Sequence, residues 1–482
     1  MSVKDKYETV IGLEVHAQLL TKTKSYSSDE NVYGAIPNTK TSVITLGHPG
    51  TLPKSNKKVI EYAVKLGIAV GSKIRERNEY ARKNYFYADL PKGYQITQDK
   101  TPICNGGVIQ IKDENKKKKE IRITRIHMEE DAGKSIHDLD PFNTLIDLNR
   151  AGVPLVEIVS EPEISTSDEA YQYIHQVRKL VRYLDICDGN MEEGSLRCDA
   201  NISVRLKGAD KFGTKVEVKN MNSTRNVKRA IEFEISRQIE LLENGGTVNH
   251  ETRSFNAANN TTVSMRHKEE ANDYRYFPEP DLQPVIVTEE YISKVRKTLP
   301  PLPNELFEKF TKEFGLSEYD ANILIEEKDI ALYFNELTNF TSNYKAAANV
   351  VNGSVKSYLN ENAVSIQDID ISPKQLSTLI DLVDKGQISN TIASGKIFPA
   401  MLKSDKTAED IATDNNWIQE SNSDALDDYI KQAIDRYPDK VQEYKKGKKG
   451  LIGLFMGEVM KLSKGKADPK LANQLLTREL EK

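Results

Sequence analysis

In the segment VIGLEVHAQL the residues alternate so that Glu14, His16 and Gln18 leave one side of an extended strand while Ile11, Leu13, Val15 and Ala17 line the other. A carboxylate and an imidazole thus project together from a rigid element. GSLRCDANISVRL repeats the pattern, with Leu196, Cys198, Ala200, Ile202 and Val204 set against Arg197, Asp199, Asn201, Ser203 and Arg205. In KVEVKNMNS, Lys215, Glu217 and Lys219 alternate with Val216 and Val218. Such surfaces face bulk water or line a polar cleft.

Three further segments favour the cleft. HMEEDAGKS carries Glu129, Glu130 and Asp131 in a row, PLVEIVSEPE sets Glu157 inside a strongly apolar strand, and MEEGS adds Glu192 and Glu193. An acid inside a β-branched run is costly to bury unless it pairs or binds a cation. Several acids beside one or two histidines are the raw material of a divalent metal site. Magnesium would take oxygen ligands together with phosphate oxygens and keep several waters. An imidazole such as that of His16 suits manganese or zinc better, so its contact with magnesium would pass through water. The fragment AGKS imitates the end of a phosphate-binding loop, but Met128 stands where the first Gly is required, which excludes a P-loop. Lys83, Lys92, Arg266, Lys268 and Arg275 supply cations for phosphates, and Tyr85, Tyr87, Tyr274 and Tyr276 around them offer faces on which bases stack.

These residues need elements to hold them. To about Asp281 the chain reads as short strands of period two, interrupted by a helix from Ser167 to Leu184 and another from Asn226 to Glu243 that Gly245 and Gly246 end. DENKKKKE is a charged hairpin tip by composition. The run TLPPLPN, Thr298 to Asn304, marks a boundary, because prolines stop helices and stiffen linkers. Beyond it the pattern is helical, with a second break near Lys403 to Thr407. The expected fold class is α+β: a mixed, mainly antiparallel, sheet-rich domain over 1–298, then helical domains over 299–408 and 409–482. In the tail, Leu451, Leu454, Phe455 and Leu462 would share a helix face. Gly447, Gly450, Gly453 and Gly457 imply close approach of another backbone, from a neighbouring helix or an RNA.

Composition is that of an ordinary globular chain, with 38% hydrophobic and 29% charged residues and a net charge of −4, over a length that exceeds one core. Residues 441–482 nevertheless hold ten Lys or Arg against five Asp or Glu, so a basic tail joins an acidic body. Lys445, Lys446, Lys448, Lys449, Lys461, Lys464 and Lys466 fit a polyanionic partner or a solvated face. Three scattered cysteines, no apolar run of about 18 residues and no signal-like start lead to a cytoplasmic, membrane-free expectation.

Taken together, ETVIGLEVHAQL, RKNYFYADLPKGYQI, RIHMEEDAGKS, DLNRAGVPLVEIVSEPEI, MEEGSLRCDANISVR, VEVKNMNS and DYRYFPEPDLQP resemble the signature blocks of the B subunits of glutamyl-tRNA(Gln)/aspartyl-tRNA(Asn) amidotransferases. The blocks span almost all of the first 285 residues in order, and KLSKGKADPKLANQLL resembles the family's C-terminal domain. The resemblance implies a cradle-shaped catalytic domain followed by a helical domain and a tail that grips tRNA. It implies a carbon–nitrogen ligase in which this chain uses ATP and Mg2+ to phosphorylate the side-chain carboxylate of Glu on tRNA(Gln) or Asp on tRNA(Asn). An amidase A subunit would release the ammonia from glutamine, and a small C subunit would complete a heterotrimer.

By motif the resemblance makes His16, Glu130 and Glu157 the metal ligands, with Glu14 beside them. Glu14, Lys83 and Glu157 are expected at the reacting groups, and Lys83, Arg197, Asp199, Asn201 and Lys219 at ATP or the aminoacyl end. One departure stands out: many relatives carry four cysteines for zinc near the N-terminus, where this chain has Ser27, Asp29, Ser42 and Thr45. Hard oxygens would not build a structural zinc site, so none is expected. Two other readings compete, a tRNA-binding scaffold without catalysis and a free-standing carboxylate–amine ligase.

Overall fold

A computed structural model describes residues 3–113, 115–267, 274–418, 423–463, 467 and 469–481. The chain forms two compact units, Met1–Leu302 and Pro303–Lys482.

The first unit is built on β-strands. The principal ones are β1 (Tyr7–Gln18), β2 (Ala81–Asn84), β3 (Tyr94–Thr97), β4 (Val108–Lys112), β5 (Lys118–Glu130), β6 (Pro154–Ser160), β7 (Leu196–Leu206), β8 (Val216–Lys219), β9 (Glu251–Asn256) and β10 (Thr261–His267). The large sheet runs β10-β9-β8-β7-β1-β6-β5, continues through the short strands Cys104–Asn105 and Lys73–Ile74, and adds β4 as a hairpin on β5. Among the described residues, all its pairs are antiparallel except β8 with β9. β2 and β3 belong instead to a small sheet with Phe277–Pro278. The charged DENKKKKE stretch joins β4 to β5, whose last pair is Lys112 with Lys118.

The expected alternation decides which face is dry. On β1, Ile11, Leu13, Val15 and Ala17 are all fully buried, as are Leu196, Ala200 and Ile202 on β7. They join one core with Ala63 and Val64 of helix α1 (Lys57–Ala69), Ala170, Ile174, Val177 and Val181 of α2 (Ser167–Tyr183), and Val227, Ala230 and Ile231 of α3 (Thr224–Glu243). Burying a branched aliphatic side chain is worth about 1.5–3 kcal/mol, so this face sets the register of the central strands. Both expected helices form, because their ends are specified locally. Thr166 caps α2 by accepting from the Glu169 amide, and Ser223 caps α3 by accepting from the Asn226 amide. Past α3, Gly245 adopts φ +74°, which a side chain would resist.

The second unit is helical in its regular structure, as expected. Its last part packs α4 (Ser423–Arg436), α5 (Pro438–Lys445), α6 (Ile452–Leu462) and α7 (Pro469–Glu481) around Leu426, Ile430, Phe455, Val459, Leu476 and Leu480. Two details differ from the sequence reading. Leu454 is 42% exposed, because the buried stripe of α6 follows Phe455 and Val459, one turn apart. Among the described residues, and apart from the adjoining backbone of the same segment, no atom lies within 4 Å of where a side chain would start at Gly450, Gly453 or Gly457. These glycines therefore do not make room for a neighbouring helix among the described residues of this chain. No described helix is long and apolar enough to cross a membrane.

Candidate active site

Because opposite residues of paired strands share a face, register alone assembles a polar row. Glu157 on β6 lies opposite His16 on β1 and opposite His127 on β5, while His16 lies opposite Arg197 on β7. Two residues along, Glu14 lies opposite Asp199, and Asn201 lies opposite Glu217 on β8. All of these stand on the face away from the helices. One cavity of about 650 Å³ is lined by Glu14, His16, Lys83, Glu157, Asp199 and Lys219, together with His127, Glu129 and Glu217.

Within it, Glu157 Oε2 is 3.2 Å from His16 Nε2 and 3.4 Å from His127 Nε2. His127 Nε2 is also 3.4 Å from Glu129 Oε2, which accepts from Thr97 Oγ1 on β3 at 3.0 Å. Lys83 Nζ, carried by β2, stands 3.8 Å from Glu129 Oε1. Towards β8, Lys219 bridges Asp199 and Glu217, and Asn201 Nδ2 donates to Glu14 Oε1 at 2.9 Å. Arg197 lies in an adjoining recess, donating to Asp131 Oδ2 at 2.7 Å.

Glu130 does not join this group. Strand alternation turns it, with Ile126 and Met128, to the opposite face, where its carboxylate meets Lys92 and accepts from the Ile96 amide at 2.9 Å. Of the expected set His16, Glu130 and Glu157, the structure brings His16 and Glu157 together and places Glu129, not Glu130, beside them. His127 and Glu217 were also missed. The signal for His127 and Glu129 was present, since in RIHMEE the apolar Ile126 and Met128 fix the phase of the strand and leave His127 and Glu129 on the other side. Of the remaining sequence candidates, Lys268, Lys464 and Lys466 lie outside the described residues.

The electrostatics are those of a site short of positive charge. Burial pushes the Glu14 carboxyl up, and the negative charges of Glu157, Asp199 and Glu217 push it further. For Glu157, burial works the same way, but the bonds and charges of His127 and His16 outweigh it and hold it well below the usual carboxylate range. Burial pulls His127 down, yet Glu157 and Glu129 overcome that and raise it to about 9. Lys83 is raised against burial chiefly by Glu129.

These residues fit a divalent cation. Donor atoms of His127, Glu129 and Glu157 lie within 4.8 Å of one another, as do those of Glu14, Asp199 and Glu217. His127 Nδ1 is buried with no hydrogen-bond partner among the described residues. Two buried carboxylates beside imidazoles suit manganese directly, and magnesium with water on the imidazole side. Elsewhere in the unit, Ser27, Asp29, Ser42 and Thr45 meet without sulfur. Asp29 Oδ2 accepts from the Ser42 amide at 2.9 Å, from Ser42 Oγ at 3.0 Å and from Thr45 Oγ1, while Ser27 Oγ lies 3.2 Å from Thr45 Oγ1.

A sheet whose polar face gathers carboxylates, imidazoles and lysines, followed by a helical unit, matches a known catalytic class. Residues 9–293 match the GatB/GatE catalytic domain and residues 332–480 the GatB domain, and the chain belongs to this family. Among its relatives, the B subunit of the aspartyl/glutamyl-tRNA(Asn/Gln) amidotransferase of Thermodesulfovibrio yellowstonii is 49% identical over 471 residues, 98% of each chain. The B subunits of the same name from Caldicellulosiruptor saccharolyticus and Thermoanaerobacter pseudethanolicus are each 48% identical, over 99% of this chain and 100% of their own.

The choice between Glu129 and Glu130 has a direct check. Measured by Mn2+ titration of the purified protein, Glu129→Gln is expected to weaken binding at least about tenfold, since losing even a group that only orients a ligand typically costs that much. Glu130→Gln should change it less than about threefold. The reverse ranking would restore Glu130 to the site and remove Glu129.

Proposed function

We propose that this chain is the carboxylate-activating component of a tRNA-dependent amidotransferase, a ligase that takes its amide nitrogen from glutamine. Its substrates are Glu on tRNA(Gln), Asp on tRNA(Asn), or both. An oxygen of the amino acid's side-chain carboxylate attacks the γ-phosphorus of ATP, and ADP leaves. Ammonia then attacks the acyl carbon, phosphate departs with the carboxylate oxygen, and the amide remains on tRNA. The observation that carries this reading is the identity of about half of all residues along the whole length of relatives bearing that name. The cleft supports it chemically.

A carboxylate is a poor electrophile, and phosphorylation supplies it with a leaving group. The protein's task is then to position the groups and to neutralise phosphoryl charge. His127, Glu129 and Glu157, with His16 against Glu157, would hold one cation, which supplies charge neutralisation to phosphate oxygens when bound. Glu14, Asp199 and Glu217 are a second oxygen set suited to the nucleotide's cation. Lys83 and Lys219, each beside one set, place ammonium groups where phosphate oxygens would lie, and Asn201 holds Glu14 in place. Arg197, tied to Asp131 in the adjoining recess, would meet ATP or the aminoacyl end. A scaffold without catalysis would have no use for so many buried charges at one point.

Ammonia would come from an amidase A subunit, with a small C subunit joining the two, and the complex would work in the cytoplasm. Within Pro303–Lys482, we assign 303–408 to a connecting helical part and 409–482 to a tail that binds tRNA phosphates through its lysines. The Asp29 knot takes over the joining of chain segments that a zinc ion would provide. No structural zinc is therefore expected at this knot, and a zinc-selective chelator should leave the melting temperature unchanged; a clear drop would contradict this.

Reconstitution with the A and C partners and both misacylated tRNAs tests the reaction. Amide formation is expected only with ATP, and Glu157→Gln should lower it at least about a thousandfold while tRNA affinity stays within about threefold. Turnover without ATP, or near-normal turnover of the variant, would sink the mechanism. Ending the chain after Thr407 should weaken tRNA binding and flatten its salt dependence, because phosphate contacts are lost. Unchanged affinity and slope would give the tail another purpose.

A further inference from the structure

One feature of the cleft is left unused by the phosphoryl chemistry: an aromatic wall. Tyr85 and Tyr87 follow β2, whereas Tyr274 and Tyr276 come from nearly two hundred residues away in sequence. Their rings form a continuous chain, with centroids 5.8 Å apart for Tyr87 and Tyr85, 6.0 Å for Tyr85 and Tyr274, and 5.9 Å for Tyr274 and Tyr276. Each contact is edge to face, with interplanar angles of 68–71°. All four rings line the same cavity as Glu129, Glu157 and Glu14.

The wall is fixed from behind. The Asn84 amide donates to the Tyr274 carbonyl at 3.0 Å, and Asn84 Nδ2 donates to the Arg275 carbonyl at 2.8 Å. Phe277 then pairs with Arg82, whose guanidinium grips the buried Glu279 carboxylate through two bonds of 2.6 and 2.9 Å. Its outer members are nonetheless open, since Tyr87 is 56% and Tyr276 is 42% exposed. Rings that served packing alone would be covered; here rigid aromatic surface stands bare in an otherwise charged cleft.

Lys83 sets the spacing. Its ammonium lies 3.8 Å from Glu129 Oε1 and 5.2 Å from the Tyr274 ring centroid, so the aromatic wall begins where the cation-binding set ends. A ligand with phosphoryl or acyl chemistry at one end and a flat base at the other would span the two. Both substrates of the proposed reaction have this form, because ATP carries adenine and the aminoacyl ester sits on an adenosine that ends the tRNA. Resting on that reaction, we infer that Tyr85, Tyr87, Tyr274 and Tyr276 form a base-stacking subsite that holds the adenine of one of these substrates and thereby aims its reacting end at the Glu129 and Glu157 pair. Stacking on aromatic faces depends on the ring and not on the phenol hydroxyl.

The test uses the assembled enzyme with Tyr87→Leu and Tyr276→Leu, and Tyr→Phe at each position as the ring-preserving control. KM is measured separately for ATP and for misacylated tRNA, with melting temperatures to confirm folding. Loss of one stacking ring should raise one of the two KM values about tenfold, with kcat falling less than about threefold and the Phe variants within about threefold of the parent. A rise in the ATP value assigns the subsite to the nucleotide, and a rise in the tRNA value assigns it to the terminal adenosine. If neither value moves in folded Leu variants, or if Phe is as harmful as Leu, the subsite is overturned. Direct titration of the same proteins with ADP and with a short RNA ending in adenosine separates this from the reaction itself. Binding lost about tenfold on Tyr→Leu supports the subsite even where no amide forms. A parent protein that binds neither ligand removes the subsite and leaves amidation to be judged by its own assay.

Discussion

Glu157 is a carboxylate in the middle of a strand whose other residues are almost all buried, and its charge is the constraint around which the first unit is organised. An isolated buried ion costs several kcal/mol, more than a domain can spare without compensation. Compensation comes from strands on both sides at once, His16 on β1 and His127 on β5. The register of these three adjacent strands that brings the three together is also the one in which Leu13 and Val15 of β1, Val156 and Ile158 of β6, and Ile126 and Met128 of β5 are buried on the other face. Core burial and charge pairing therefore select the same pairing of strands, and a slip of one residue would break both.

From that row the rest of the site follows by contact. Glu129 is drawn in by His127 and Thr97, Lys83 by Glu129, and the tyrosine wall by Lys83 and by the short pairing of Phe277–Pro278 with β2. The result is a cleft with more carboxylates than cations in immediate reach, which suits the binding of metal and of groups that carry metal. The raised Glu14 carboxyl reflects first its burial and then the same excess of negative charge. On the opposite face of the same strand end, Glu130 meets Lys92 and leaves the cleft alone.

The Asp29 knot ties its loop together through hydrogen bonds to a single carboxylate. One carboxylate collects donors from Ser42 and Thr45, and these bonds outweigh burial and keep its pKa low. Hydrogen bonds to a charged acceptor are worth about 1.5–3 kcal/mol each, so several of them on one oxygen make a substantial tie between distant parts of a loop.

Much of this was legible in the sequence. Alternation in β1, β7 and β8 identified the polar faces, periodicity marked two helices, the second ended by Gly245 and Gly246, and the signature blocks pointed to the family. The sequence alone also showed that Glu14, His16, Asp199 and Lys219 leave their strands on the polar side, because side-chain direction in a strand is a local property with period two. The sequence held the phase that parts Glu129 from Glu130, in Ile126 and Met128, but it did not show which of the two would stand beside Glu157, which is decided only when β5 is in register with β6. Nor could it bring Tyr274 to Tyr85 or show that the tail glycines face open space. Those outcomes depend on which strands and helices become neighbours, and neighbours are chosen by the packing and charge balance of the whole unit, which no single segment contains.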